Sequence, residues 1–216
     1  MKKLHLNKDT MNKKSYTGYL KAILIVGATI LFQVLIYFIT KIFQGSPHML
    51  NSKLDNAFPY IAEFVYFYII WYLLLFIVPI LLYKKDKRNF KIYILTYFVS
   101  IILAGIIFIV YPTGIVRPDI NTNNLSNILV GLLYRMDTPA INCLPSIHCI
   151  MAFLFMLSII SSKNINKKFK WTISIVSIII IWSTLFIKQH VIYDVLASLV
   201  IILPVWCVSN KIIIKR

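Results

Sequence analysis

Residues 58–88 read FPYIAEFVYFYIIWYLLLFIVPILLYKKDKR. An apolar run with a single carboxylate, Glu63, is followed at once by a basic segment. As a helix, about 20 apolar residues cross the roughly 30 Å hydrocarbon core of a bilayer. The stretch therefore predicts a membrane-spanning helix that ends in a positively charged loop.

The same pattern recurs along the chain of 216 residues, which is 59% hydrophobic and 14% charged with a mean hydropathy of +0.79. One soluble core could not bury so much apolar surface. We expect an all-α fold, a polytopic bundle of six transmembrane helices forming a single membrane-embedded domain over residues 1–216. The predicted spans are about 20–42, 58–83, 90–111, 144–162, 171–187 and 192–209. The first follows a basic segment but is long and precedes no small-x-small cleavage site, so we interpret it as a retained anchor.

The formal net charge of +16 is distributed unevenly between the predicted loops. Eighteen of the 23 lysines and arginines lie before span one, between spans two and three, between spans four and five, or after span six, if Lys21 and Lys91 at the starts of spans one and three are included. The positive-inside rule places these segments and both termini in the cytoplasm. The charge is therefore a topology signal of a plasma-membrane protein, and no nucleic-acid partner is expected. Cys143, Cys149 and Cys207 form no metal-ligand spacing.

The charges predicted to lie outside are few and of both signs, which is typical of a site. They are Arg117, Asp119, Arg135, Asp137, Lys188 and Asp194, besides Lys41 and Lys53. Arg117-Pro118 begins a loop that runs to about Cys143, and structureless loops of that length are usually functional. An arginine offers a planar fork of donors that matches phosphate oxygens.

Pro145-Ser146-Ile147-His148 opens the fourth predicted span. Proline suits the first turn of a helix, and the backbone amides at a helix start bind phosphate with the help of the helix dipole. Ser146 and His148 would then face an anion. The alternative is a capping serine followed by an interfacial histidine.

Lys188-Gln189-His190 is followed by Asp194 at the start of the sixth predicted span. Residues four apart on a helix share a face, so the Asp194 carboxylate can hold one nitrogen of the His190 ring. A nucleophilic or basic histidine needs such an orienting partner. The alternative is an interfacial pair that only satisfies itself, although ionisable groups at the edge of a span are usually functional.

Together these motifs resemble the type 2 phosphatidic acid phosphatase superfamily, whose motifs are written KxxxxxxRP, PSGH and SRxxxxxHxxxD. Their order and spacing match Arg117-Pro118, the Pro145–His148 segment, and Ser183 with His190 and Asp194. Three positions depart from the motifs: Val110 replaces the lysine, Ile147 the glycine and Thr184 the arginine. The Lys-Gln-His form is similar to the branch that includes inositol phosphorylceramide synthases.

The resemblance implies a two-step displacement at phosphorus. His190 would attack, Asp194 would orient it, and His148 would protonate the leaving oxygen and later activate water. Arg117, Ser146 and Lys188 would hold the phosphate oxygens. Arg135 and Asp137 would contact the head group or an acceptor, or else form a loop salt bridge. The scheme requires no metal and no cofactor.

We therefore expect a lipid phosphatase acting at the extracytoplasmic face on a phosphate monoester or pyrophosphate such as phosphatidic acid, phosphatidylglycerol phosphate or an isoprenyl pyrophosphate. A phosphotransferase that passes a head group to an alcohol is one alternative. A non-catalytic protein that binds anionic lipids is another. The sequence leaves the oligomeric state open.

Overall fold

The computed structural model describes residues 2–43, 45–121 and 123–215. Over these residues the chain is almost entirely helical. The α-helices are α1 (Lys2–Ile42), α2 (Val65–Lys85), α3 (Lys87–Val110), α4 (Leu125–Met136), α5 (Ile147–Ser161), α6 (Lys167–Phe186) and α7 (Ile192–Ile214). Two short parallel strands, β1 (His48–Met49) and β2 (Thr113–Gly114), and two 3₁₀ helices, Lys53–Ala57 and Ala62–Phe64, complete the described part.

Five of the described helices are long and apolar enough to cross a membrane: α1 from Thr17 onward, α2, α3, α6 and α7. They correspond to five of the six predicted spans. The remaining one, 144–162, contains α5, which has 15 residues. At 1.5 Å per residue α5 is roughly 22 Å long, which is less than the hydrocarbon thickness of about 30 Å.

Helix α5 packs against α2, α3, α6 and α7. Its Ile150, Leu154 and Phe155 side chains have no exposed surface. The longer helices instead leave large apolar side chains exposed on their outer faces, such as Leu73 of α2 and Val200 of α7. The short helix is therefore the centre of the bundle, and its neighbours supply the apolar outer surface.

Helix α1 is held against α3 by a close backbone approach. A Cβ atom added to Gly105 would lie 2.6 Å from Cγ2 of Ile36, so a larger residue there would force α1 away. In the same interface the Tyr97 hydroxyl donates to Gln33 Oε1 over 2.7 Å. This packing fixes where the last turn of α1, with Lys41, lies relative to the other helices.

The two ends of the bundle differ in composition. At one end Ser162 Oγ donates to Asp86 Oδ2 over 2.9 Å and Asn164 Nδ2 donates to the Lys85 carbonyl over 2.9 Å, so the lysine-rich turns 84–91 and 163–170 meet. At the other end β1 and β2 join the chain after α1 to the chain after α3. The starts of α5 and α7 lie at this second end, away from the lysine-rich turns.

The loop predicted after Arg117 contains the helix α4. The Asn124 side chain caps it by accepting a hydrogen bond from Asn127 N over 2.8 Å. Its exposed apolar residues, spaced three or four apart, form one stripe: Leu125, Ile128, Leu132 and Met136. This helix has 12 residues, fewer than the roughly 20 that cross a bilayer, so the hydropathy of the sequence predicted a loop here.

Candidate active site

Ser146 lies where α5 begins and connects it to α7. It is the N-cap residue, and its Oγ accepts a hydrogen bond from Cys149 N over 3.2 Å. Its own N–H donates to the Asp194 carbonyl over 3.4 Å, and Ser198 Oγ donates to the Ser146 carbonyl over 3.0 Å. The fully buried Ser146 side chain thus acts here as a helix cap, which was the alternative interpretation of this segment.

His148 lies in the first turn of α5 between two aromatic rings of α2. Its ring centroid is 4.2 Å from that of Trp71 and 4.4 Å from that of Tyr68. The Tyr68 hydroxyl lies 3.4 Å from His148 Nδ1. The other ring nitrogen, Nε2, is buried and has no hydrogen-bond partner among the described residues. The imidazole therefore contacts a hydrogen-bonding group through one nitrogen only, and the other nitrogen stays unbonded.

The turn between α6 and α7 holds His190 in place by backbone hydrogen bonds. Lys188 has a positive φ of 51°, and its N–H donates to the Leu185 carbonyl over 3.2 Å. The N–H groups of Gln189 and His190 both donate to the Thr184 carbonyl, over 2.9 and 3.0 Å. This is the Schellman arrangement that ends many helices. It brings the chain from α6 directly to the start of α7.

His190 is oriented by Asp194, as the four-residue spacing predicts. The His190 Nδ1 lies 3.0 Å from Asp194 Oδ2, and the same oxygen accepts a hydrogen bond from Val191 N over 3.1 Å. The Asp194 side chain is fully buried. Among the described residues His190 Nε2 has no hydrogen bond, and the ring centroid lies 6.0 Å from that of His148. The structure therefore brings the two predicted catalytic histidines side by side.

Arg117 reaches the same region from the loop that follows β2. Its Nη2 donates to Gln189 Oε1 and to Asp137 Oδ2, each over 2.5 Å, and its guanidinium lies over the Tyr134 ring at 4.7 Å. Only 8% of the side chain is exposed. Through Gln189, the guanidinium is fixed next to His190.

Asp137 and Arg135 have different surroundings although both end α4. Asp137 forms ion pairs with Arg117 and with Lys41, whose Nζ is 3.0 Å from Oδ1, and it accepts a hydrogen bond from the Tyr37 hydroxyl. Arg135 is exposed and has no hydrogen bond or ion pair in the part of the chain that is described. Asp137 thus belongs to the cluster around Arg117, whereas Arg135 lies apart from it.

Lys188 contacts backbone oxygens of the loop between α1 and α2. Its Nζ donates to the carbonyls of Asp55, over 3.0 Å, and of Phe58. Desolvation lowers the pKa of this ammonium group, while the charge of Asp55 opposes the shift. Thr184, which stands at the family's arginine position, is fully buried and donates to the Ile181 carbonyl over 2.7 Å. Lys188 is therefore the cation of this segment that lies near His190.

Two cavities meet at His190. The helix cavity, of about 280 Å³, lies between α1, α2 and α4 and includes His148, Asp137 and several aromatic side chains. The loop cavity, of about 300 Å³, is lined by the chain on either side of Asp55 together with Arg117 and Lys188. Aromatic residues of the helix cavity are Tyr37, Phe38, Tyr68, Trp71 and Tyr72. Polar residues of the loop cavity besides the charged ones are Asn51, Ser52, Asn56 and Tyr60.

Several residues at this site were missed from the sequence. Lys41, Tyr37 and Gln189 contact Arg117 or Asp137, and Asp55 Oδ1 accepts from Ile192 N over 2.9 Å at the start of α7. The chain has only seven acidic residues, and this scarcity was the only feature of the sequence that could have drawn attention to Asp55. Lys41 and Tyr37 are far from the motifs in sequence. Lys41 was predicted only to lie on the outer side, and no motif assigned either residue to the site.

Among the described residues no group of three or more histidine, cysteine, aspartate or glutamate side chains could hold a metal ion. Asp137 instead lies between two cations, and Asp194 is used by His190 and Val191. Independence from metal remains a prediction to be tested by experiment.

A family model described as the PAP2 superfamily matches residues 45–208. No curated protein and no solved structure matches this chain. The match includes β1, every helix from α2 to α6 and most of α7, and it contains all of the predicted site residues. It confirms the superfamily that the motifs indicated and leaves the branch within it open. On the extent of this match, the chain belongs to the PAP2 superfamily.

Proposed function

We propose that this chain is an integral membrane phosphatase that removes phosphate from a lipid phosphate monoester or pyrophosphate. One observation carries the proposal: His190 is held by Asp194 through Nδ1, while its Nε2 stays unbonded and its ring lies beside His148 and on the loop cavity that Arg117 also lines. An oriented imidazole with a free nitrogen is a nucleophile, and a neighbouring cation stabilises charge on a phosphoryl group. Membership of the superfamily supports the same reaction class.

In the first step the lone pair of His190 Nε2 attacks phosphorus. The bond from phosphorus to the lipid oxygen breaks, and that oxygen takes a proton from His148 Nε2. The product is a phosphohistidine, whose positive imidazole is stabilised by the Asp194 carboxylate. Arg117 neutralises the phosphoryl oxygens, with Lys188 and the amides at the start of α5 as further donors.

In the second step His148, now deprotonated, accepts a proton from water. The water oxygen forms a bond to phosphorus as the bond to His190 breaks, and inorganic phosphate leaves. Both histidines return to their starting protonation states. His148 therefore acts first as an acid and then as a base.

The lipid nature of the substrate is supported by the walls of the helix cavity. Apolar and aromatic side chains of α1 and α2 line it, together with Leu133 and Met136 of α4. The exposed stripe of α4 continues this apolar surface outward. A substrate with an acyl or prenyl chain and a phosphate head matches a cavity whose walls are apolar and whose end carries His148 and His190.

We further propose six membrane crossings in a bacterial-type plasma membrane, with both termini in the cytoplasm and the site at the outer face. The distribution of cations along the chain and the meeting of the two lysine-rich turns away from His190 support this orientation. The fourth crossing is α5. A central helix covered by protein can be short, because irregular backbone is tolerated at membrane depth where protein buries it, and Asn142, Cys143 and Ser146 before α5 are buried.

A head-group transferase is the second candidate function, and the loop cavity favours it. Amide and hydroxyl side chains are among the residues that line this cavity together with His190. An alcohol bound there would replace water in the second step. The inositol phosphorylceramide synthase-like form of the third motif agrees with this alternative.

Purified protein incubated with phosphatidic acid, phosphatidylglycerol phosphate and isoprenyl pyrophosphate separates the candidates. We expect release of inorganic phosphate and the dephosphorylated lipid on thin-layer plates, and no release by a folded His190→Ala variant. Formation of a new phospholipid when a polyol is added would favour the transferase. Neither product from any lipid would favour a non-catalytic lipid-binding protein.

A further inference from the structure

The Asp137 carboxylate holds together two cations that are remote in sequence. Oδ1 lies 3.0 Å from Lys41 Nζ of α1, and Oδ2 lies 2.5 Å from Arg117 Nη2. The Tyr37 hydroxyl, one turn before Lys41, donates to the same carboxylate. Each oxygen of one small anion is thus bound by a different cation.

This cluster borders the reactive end of the helix cavity. Asp137 and Tyr37 line the cavity together with His148 and His190. Arg117 is also tied to Gln189, the neighbour of His190. An anion that replaced the carboxylate would therefore lie on the same cavity as both histidines.

The side chains of the two cations are more deeply buried than the carboxylate side chain. The side chains of Arg117 and Lys41 are 8% and 13% exposed, whereas that of Asp137 is 28% exposed. Asp137 is the residue that ends α4, and Thr138 after it is exposed. Withdrawal of Asp137 would leave two enclosed cations without a counter-ion, a costly state that an incoming phosphate group would relieve.

We propose that Lys41 and Arg117 form a two-cation phosphate site and that Asp137 occupies this site when no substrate is bound. Lys41 is then a phosphate-binding residue supplied by α1. A phosphate dianion has more charge and more acceptor oxygens than a carboxylate, so it competes successfully for both cations. The inference rests on the proposed phosphate chemistry, to which it adds one binding residue and one internal competitor.

The test is direct binding of inorganic phosphate to the purified full-length protein in detergent, by titration calorimetry. Lys41→Met should weaken binding roughly tenfold to a hundredfold, the loss expected for one hydrogen bond between charged groups. Lys41→Arg should recover part of that loss. Lys53→Met, which removes an exposed lysine of the same outer region, is the matched control and should bind like the parent protein.

Asp137→Asn distinguishes an internal competitor from a permanent support of Arg117. The amide has the same shape but no charge, so as a competitor it should bind the cations less well and phosphate affinity should rise several-fold. Weaker phosphate binding by Asp137→Asn would overturn the proposal, as would unchanged binding by Lys41→Met or no binding by the parent protein. Size-exclusion profiles and thermal unfolding confirm that each variant is folded.

The experiments distinguish failure of the two-cation site from failure of the proposed phosphatase activity. Phosphate binding that depends on Lys41 and is strengthened by Asp137→Asn, in a protein that turns over no lipid, would support the two-cation site and reject the phosphatase.

Discussion

One oxygen of Asp194 makes two hydrogen bonds at the candidate site. Oδ2 accepts from His190 Nδ1 and from Val191 N, so the same carboxylate orients the imidazole and satisfies a free amide at the start of α7. The carboxylate has no donor to offer, and it therefore keeps the proton on Nδ1 and the lone pair on Nε2. In the proposed mechanism, the attack by His190 depends on this choice of tautomer.

Asp194→Asn tests this dependence. An asparagine can place its carbonyl oxygen at the Oδ2 position and accept from both Val191 N and His190 Nδ1, but it has no negative charge to stabilise the positive imidazole of the phosphohistidine. Its NH₂ group would then take the place of Oδ1, a buried atom with no hydrogen-bond partner among the described residues. We expect a folded protein whose kcat falls by about four orders of magnitude, as for the orienting aspartate of a serine protease. Steady-state kinetics on a lipid phosphate, with thermal unfolding as the control for folding, measure the effect. A variant that keeps a tenth or more of the parent kcat would exclude an orienting function for Asp194.

At the scale of elements, the Schellman turn between α6 and α7 positions His190. Lys188 adopts the left-handed conformation at the position where glycine is most common, and it also directs its ammonium group to the carbonyls of Asp55 and Phe58. Lys188 therefore contributes in two separate ways, through its backbone conformation to the turn and through its ammonium group to the contacts with the loop. These two contributions can be separated by experiment.

Lys188→Gly and Lys188→Val both remove the ammonium group, but only valine strains the turn. A left-handed residue other than glycine costs roughly 1–2 kcal/mol, more when it is β-branched. Because 1 kcal/mol corresponds to about 2–4 °C in a chain of this size, Lys188→Val should unfold several degrees below Lys188→Gly. Activity lost by both variants but not by Thr184→Ala would assign the ammonium to phosphate binding. Equal unfolding temperatures for the two variants would contradict the described turn.

The residues contributed by helices α1 and α4 are the part of the site that was hardest to predict from the sequence. The histidines, Asp194 and Arg117 belong to local motifs, and their geometry follows from helix periodicity and helix starts. The position of Lys41 depends on the approach of α1 to α3 at Gly105, a contact between residues distant in sequence. Asp137 is oriented by the end of α4, a helix that hydropathy did not reveal. Local pattern therefore identified residues that the structure brings together, and it named Asp137, but it did not predict the contacts that Asp137 makes with Lys41 and Arg117.

At the scale of the whole molecule, hydropathy predicted the five spans that are long helices in the structure. It overestimated the helical length of the fourth span, which contains α5. A window of apolar residues cannot distinguish a full crossing from a shorter central helix preceded by buried irregular backbone. Residues 142–146 form such a segment: their backbone is not helical, and Asn142, Cys143 and Ser146 are buried. The burial of α5 by four neighbouring helices is a tertiary property that no single segment encodes.

The orientation in the membrane is tested by cysteine labelling in a variant without the native cysteines. Asn123→Cys, at an exposed position in the loop before α4, should react with an impermeant thiol reagent in intact cells. Arg88→Cys, at an exposed position in the first turn of α3, should react only after lysis. Arg88 is a better probe than Asn89, which is buried and donates to Asp86. The reverse pattern of labelling would place the site in the cytoplasm.

Metal independence is a further prediction at the scale of the whole molecule. Turnover should survive EDTA and be inhibited by vanadate, because the described donors suit an anion bound by Arg117 and Lys41 better than a cation. Activity that disappears in EDTA and returns with magnesium would require a different mechanism.

The most direct test of the central claim is rapid-quench detection of the covalent intermediate with a ³²P-labelled lipid phosphate. We expect an acid-labile, base-stable phosphoprotein in the parent chain and none in folded His190→Ala. His148→Ala should still form it from a substrate with a good leaving group, because the nucleophile remains and only the proton donor is lost. Sustained turnover by folded His190→Ala, or a phosphoprotein formed without His190, would contradict the account.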